Sequence, residues 1–141
     1  MNTKTLLAGL AGGVFAFFAG WVIFGMLLMD YYSSNTTVYE GLTKDPPDMV
    51  FIAISNLAWG FLLAVIYQKI GNVKSFGSGL TNGIIISFLI MLMFDTSMYA
   101  FYNLNELTLT IIDIIAGTIF GGLVGGVVGL VLGTGKQENP S

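Results

Sequence analysis

Four long apolar stretches, separated by short polar segments, dominate the pattern along the chain. They cover about 5–30, 49–70, 78–102 and 108–133. Each exceeds the roughly 20 residues that a helix needs to cross the hydrocarbon core of a bilayer. Because backbone amides in lipid must be satisfied within the segment, we predict that all four are helices. The predicted fold class is an all-α membrane protein, with a single membrane domain over residues 1–141 built as a bundle of four transmembrane helices.

The polar segments between these stretches predict the connections. Residues 31–48 form the long loop, and residues 134–141 form a polar tail. The connections at 71–79 and 103–106 are short, which makes consecutive helices antiparallel neighbours in space. The motif "DPP" at 45–47 is typical of a helix cap followed by a first turn, and predicts where the second helix begins.

The placement of lysine predicts the orientation of the bundle. If the helices alternate in direction, only Lys44 lies on one side of the membrane. The lysines on the other side are Lys4, Lys69, Lys74 and Lys136. Lysine-rich ends stay in the cytoplasm, so we predict cytoplasmic termini and an external 31–48 loop. Aromatic residues gather near the external boundary, as in an interfacial belt: Tyr31, Tyr32, Tyr99, Phe101 and Tyr102.

Small residues recur at every fourth position in two of the predicted helices. The last helix carries Gly117, Gly121, Gly125, Gly129 and Gly133. The first helix carries Ala8, Gly12, Ala16 and Gly20. In water each helical glycine costs about 1 kcal/mol relative to alanine, but in lipid small residues let helix backbones approach closely. We therefore predict tight glycine-mediated packing of helices one and four, within one subunit or across a symmetric interface.

A similarity between the two halves of the chain suggests an internal repeat. Setting Gly9 on Gly79 aligns the first and third helices over most of their length. The second and fourth helices align "SNLAWG" at 55–60 with "IDIIAG" at 112–117. This pattern indicates a duplicated helical hairpin with both copies in the same orientation. Chance similarity is the alternative, because apolar helices use few residue types.

Two acids lie inside the apolar stretches, Asp95 in the third and Asp113 in the fourth. Each lies eight or nine residues from the turn near 104–105, so both should sit at one level, roughly 12–14 Å along their helices. Asn56 reaches a similar depth. Two close carboxylates in a low dielectric should not both be ionised. These three residues are candidates for a proton or cation site reached from outside, or for a structural polar network.

Composition narrows the chemistry that the chain can perform. Only 9% of residues are charged, against roughly 25% in soluble domains. Cysteine and histidine are absent, which excludes thiol chemistry and the usual zinc, copper and haem ligands. We therefore predict no metal and no cofactor. Without histidine we find no nucleophile with an adjacent base, and predict no enzymatic activity. The lysines form no basic run, so we predict no nucleic-acid partner.

Several segments resemble those of short uncharacterised bacterial integral membrane proteins of four predicted spans. The segments are "GWVIFGMLLMDYY", "PPDMVFIAISNLAWGFLLAVIYQKIG", "FDTSMYAFYNLN" and the glycine-rich last helix. The resemblance covers nearly the whole chain. It implies a bacterial inner-membrane location, and it carries over no catalytic residue.

The leading interpretation is a small non-enzymatic inner-membrane protein that acts as a homo-oligomer or as an accessory subunit of a membrane complex. Its expected partners are the lipid bilayer and another membrane subunit. The alternative is a small dimeric transporter or channel that couples protons or cations through Asp95 and Asp113.

Overall fold

The computed structural model describes residues 2–134, and its regular structure is helical. Five α-helices follow one another: α1 (Thr3–Val22), α2 (Met29–Asn35), α3 (Met49–Ile70), α4 (Phe76–Phe101) and α5 (Leu107–Gly133). A π-helical segment, Ile23–Leu27, joins α1 to α2. Four segments are long and apolar enough to cross a membrane: α1 with the π-helical segment, α3, α4 and α5. Lys136 and all but the first residue of the predicted tail at 134–141 lie outside the described residues.

The start of α3 illustrates how local chemistry places a helix boundary. Asp48 is the N-cap, and its carboxylate accepts hydrogen bonds from the backbone N–H groups of Val50 and Phe51. Such a cap satisfies donors that have no partner within the helix. The N-cap of α3 is therefore Asp48, directly after the 45–47 motif that was predicted to supply the cap and the first turn. At the other end, Gly71 has a φ of 81° and closes α3 in the left-handed conformation that favours glycine.

The four long helices pack as two antiparallel pairs, α1 with α3 and α4 with α5. The pairs meet mainly through α1 and α5, with a smaller contact between α3 and α5. The central helix is α5. Of its most apolar 18-residue stretch 56% is buried, against 11% of the corresponding stretch of α4. If a two-fold axis related the two hairpins, it would exchange α1 with α4 and α3 with α5. The α1–α5 contact would then have an equivalent contact between α3 and α4. Those two helices share no comparably extensive contact.

The two ends of the bundle differ in charge, and we name them accordingly. The lysine end contains residues 2–5, the last turn of α3 with Lys69, the connection at 71–75 and the end of α5. The acidic end contains the loop at 36–48 and the turn at 102–106. At the lysine end, the Thr5 hydroxyl donates a hydrogen bond of 3.0 Å to the side-chain oxygen of Gln68, which ties the start of α1 to the end of α3.

The contact between α4 and α5 follows one regular register, which we call the α4–α5 seam. On α4 the seam contains Gly79, Gly83, Ser87, Met91 and Asp95, which face, in that order, Gly129, Gly125, Gly121, Gly117 and Asp113 on α5. A Cβ placed on Gly125 would lie 2.6 Å from the Gly79 carbonyl oxygen and 2.9 Å from the Gly83 Cα. No side chain fits there, so the backbones of the two helices touch.

The glycine row at 117–133 therefore lies against α4, and not against the first helix that the sequence suggested. The row predicted as its partner consists of Ala8, Gly12, Ala16 and Gly20. This second row meets α3 and the valine-rich face of α5: a Cβ on Gly12 would lie 3.4 Å from the Gly60 Cα and 3.7 Å from a Val124 methyl carbon. The expectation that short connections make consecutive helices neighbours holds for α4 and α5 but not for α3 and α4, which share no comparably extensive contact.

Candidate functional site

Asp95 and Asp113 meet at the last step of the α4–α5 seam, at the acidic end. Because α4 ends at Phe101 and α5 begins at Leu107, each acid lies six residues inside its helix, about 9 Å along the axis. Their carboxyl groups lie within hydrogen-bonding range of each other. Asp95 is only 7% exposed, and its Oδ2 atom is buried without a hydrogen-bond partner. The seam thus brings together the two acids that the sequence singled out.

A tyrosine from a different part of the chain completes the group. The Tyr32 hydroxyl donates a hydrogen bond to Asp113 Oδ1. Burial, and then the interaction with Asp113, raises the pKa of Tyr32 above its ordinary value, so the hydroxyl keeps its proton. The sequence assigned Tyr32 to an aromatic belt and gave it no part in the site. The site therefore consists of three side chains from α2, α4 and α5.

The π-helical segment at 23–27 positions Tyr32. Its wider turn is marked by a hydrogen bond of 2.9 Å from the Leu28 N–H to the Ile23 carbonyl, five residues back. Phe24, within this segment, packs edge-to-face on both Tyr32 and Phe120, with ring centroids 6.3 Å and 5.8 Å apart. π-Helical turns interrupt the regular succession of faces and are frequent at functional sites. Here the turn brings α2 over α5.

A pocket of about 130 Å³ opens beside the two acids. Its polar lining comes from Asp95, Tyr99, Tyr102, Asn105, Thr110 and Asp113. Such a volume has room for water, and the carboxyl and hydroxyl groups offer it partners. No lysine lies among the lining residues, which all belong to the described part of the chain. The charge of the pair is therefore balanced by no basic side chain in the pocket.

The long loop folds over the acidic end and is held to the turn between α4 and α5. The Thr37 N–H donates to the Leu104 carbonyl at 2.8 Å. The Tyr39 hydroxyl donates to the Asn103 carbonyl at 3.0 Å. These bonds link the segment that follows α2 to the rim of the pocket. The loop thus limits how far Tyr32 can move from Asp113.

Asn56, the third residue singled out from the sequence, does not join this group. Its side-chain amide donates a hydrogen bond of 2.8 Å to the Ile52 carbonyl in its own helix. Its Oδ1 atom faces α1, 3.8 Å from where a Cβ on Gly20 would lie. Asn56 reaches the expected depth, but on α3, whose main contact is with α1.

The arrangement suits exchange of a proton or binding of a small cation by oxygen. Within residues 2–134, no cluster of three or more His, Cys, Asp or Glu side chains is placed to hold a metal ion. The two carboxyl groups can share a proton, and the Tyr32 hydroxyl stabilises negative charge on Asp113.

No protein-family model, curated protein or solved structure matches this chain. Function in any fold resides in its sites, and here the candidate is the group formed by Asp95, Asp113 and Tyr32.

Proposed function

We propose that this is a small non-enzymatic membrane protein that takes up and releases a proton or small cation at Asp95 and Asp113, as a transporter or channel. The observation that carries the proposal is the direct contact of two acids from different helices, without a basic residue in the pocket that they line. Ionisable groups within membrane spans are costly, and are usually retained for ion or proton pathways. Two acids in contact bind a positive charge more readily than one does.

Access to the pair is from the acidic end, where the pocket lies. The seam beyond the pair is filled: Met91 covers Gly117, and the backbones touch from Gly83 onward. A transport site usually lies near the midplane, whereas these acids lie about 9 Å inside their helix ends. Passage to the lysine end therefore requires the seam to open.

Ion flux into liposomes tests this function. We expect the wild-type protein to carry protons or alkali ions, and Asp95→Asn and Asp113→Asn to reduce the flux at least tenfold. The matched control is Glu106→Gln, an equivalent change at an exposed acid that makes no side-chain cap hydrogen bond. No wild-type flux, or equal flux in all four proteins, would contradict a role in transport.

We infer a second function, as a homo-oligomer or accessory subunit, from the exposure of α4. This helix packs on α5, and its opposite face carries Ile85, Leu89 and Met93, which are 55%, 58% and 66% exposed. The chain contains no cysteine, so Leu89→Cys introduces a single thiol. We expect Leu89→Cys to cross-link in membranes, and Val128→Cys, at a fully buried position of α5, not to do so. Equal cross-linking at both positions would count against an α4 interface.

We also infer a bacterial inner-membrane location with both termini in the cytoplasm. Lys4, Lys69 and Lys74 all belong to the lysine end, and lysine-rich ends stay in the cytoplasm. Reporter domains fused to either terminus test this orientation, and an external reporter signal from either fusion would contradict it.

A further inference from the structure

We propose that the carboxyl pair binds a proton and not a metal ion, that Asp95 holds this proton, and that the Tyr32 hydroxyl positions the Asp113 carboxyl group that faces it. This inference rests on the proposed function, because it names what the same site binds. It adds Tyr32 as a residue that determines specificity.

The position of the Tyr32 hydroxyl argues against a metal ion on Asp113. Its proton is directed at Asp113 Oδ1, so a cation bound to that oxygen would face the hydroxyl proton. Tyr32 therefore occupies one of the two Asp113 oxygens that a cation would need.

The supply of oxygen ligands around the pair is also small. Calcium takes six to eight oxygen ligands and magnesium requires an octahedron. Among residues 2–134, no group of three or more acids is placed to hold a metal ion, so the pair would have to supply most of the protein ligands. A proton, in contrast, needs only the two carboxyl oxygens that it joins.

Burial assigns the proton to Asp95. Asp95 is 7% exposed and its Oδ2 atom has no partner, whereas Asp113 is only partly buried and receives the Tyr32 hydroxyl. An unpaired buried charge is far more costly than a neutral acid. The carboxylic O–H of Asp95 thus donates to the carboxylate of Asp113, and it exchanges its proton with water in the pocket.

The other titratable groups around the pair come from the helices that pack there. Tyr32 approaches from α2, and Tyr99 and Tyr102 line the pocket from α4. None of the three supplies a positive charge. Within the described lining of the pocket, a proton bound to the two acids is therefore what reduces the negative charge of the pair.

Infrared spectra of the protein in liposomes test the assignment, because a protonated carboxylic acid has a carbonyl stretch distinct from that of a carboxylate. Spectra are recorded across pH, with and without sodium, potassium, magnesium or calcium at constant ionic strength. We expect wild type to show a buried-acid band near neutral pH that no cation removes. Asp95→Asn should lose this band, and the control Glu106→Gln should retain it.

Tyr32→Phe tests the role of the hydroxyl while keeping the aromatic ring against Phe24. Loss of the hydrogen bond to Asp113 should change the pH at which the buried-acid band appears, because the hydroxyl contacts one member of the pair. A circular-dichroism melt checks that the variant is folded. An unchanged titration in the folded variant would refute the role of Tyr32.

The remaining outcomes separate this inference from the proposed function. A cation that removes the band would overturn the proton assignment and leave cation binding in place. A band lost in Asp113→Asn but retained in Asp95→Asn would reverse the roles of the two acids. Spectra of wild type that respond neither to pH nor to any cation would refute both the inference and the proposed function.

Discussion

The α4–α5 seam predicts that one added methyl group will have opposite effects at different glycines. Gly125→Ala places a Cβ against the Tyr67 hydroxyl and against backbone atoms of α4, 2.6 Å from the Gly79 carbonyl oxygen and 2.9 Å from the Gly83 Cα. Gly77→Ala, near the start of α4, places the same methyl group where no atom lies within 4 Å. The two variants have the same chemical change and differ only in what surrounds it.

The magnitude follows from the contacts. Carbon atoms pack at about 3.5–4.0 Å, so the methyl group of Gly125→Ala must push the two helices apart by about 1 Å. Overpacking of this kind costs roughly 1–3 kcal/mol, while replacing a helical glycine by alanine contributes up to about 1 kcal/mol. We expect a net loss of about 0–3 kcal/mol for Gly125→Ala. Gly77→Ala should stabilise by up to about 1 kcal/mol, because only the second effect applies.

Unfolding in mixed micelles with increasing SDS, followed by circular dichroism, measures these free energies. Gly117→Ala provides an intermediate case, since its Cβ would lie 2.6 Å from the terminal carbon of Met91, the end of a flexible side chain that can move aside. The expected order of stability is Gly77→Ala, then Gly117→Ala, then Gly125→Ala. If Gly125→Ala unfolds at the same SDS fraction as Gly77→Ala, the backbones of α4 and α5 do not touch and the seam is wrongly described.

Three further changes test single contacts by the same unfolding measurement. Tyr67→Phe removes the hydrogen bond of 2.6 Å from the buried hydroxyl to the Gly79 carbonyl and should cost about 0.5–1.5 kcal/mol; unchanged stability would show that this bond contributes nothing. Asp48→Ala removes the cap of α3 and should cost about 0.5–2 kcal/mol, whereas Glu106→Ala, whose side chain makes no cap bond, should be neutral; equal losses would contradict the cap. Ser87→Ala should be neutral or stabilising, because its buried hydroxyl has no partner, and a loss above about 1 kcal/mol would reveal a bound water.

The long apolar runs were sufficient to predict the four spans, but not the interruption within the first. The run at 5–30 predicted one helix, whereas the structure divides this region into α1, the π-helical segment and α2. Every residue of the π-helical segment, Ile23–Leu27, is glycine or apolar. Hydrophobic pattern alone therefore does not distinguish it from an α-helix. Tyr32 was missed for this reason, because its direction depends on that turn.

The spacing of small residues identified the contact faces but not which helices would meet. Small residues also occur at Gly79 and Gly83 on α4, so the chain carries three rows with similar spacing. All three rows consist of small residues, which let helix backbones approach closely. Their spacing alone therefore does not show which row packs against which. Connection length does not show it either, because the connections at 71–75 and 102–106 are equally short, yet only the second joins helices that pack extensively.

The depth of Asp95 and Asp113 was predictable because it depends only on the rise per residue from a short turn. Their direct contact depends on more. Aspartate has a short side chain, so two of them touch only where the backbones that carry them are close. The seam provides this closeness, since Asp113 continues the four-residue spacing of Gly117, Gly121 and Gly125, and Asp95 continues that of Gly79 and Gly83. The glycines that would weaken a helix in water thus hold the acids together.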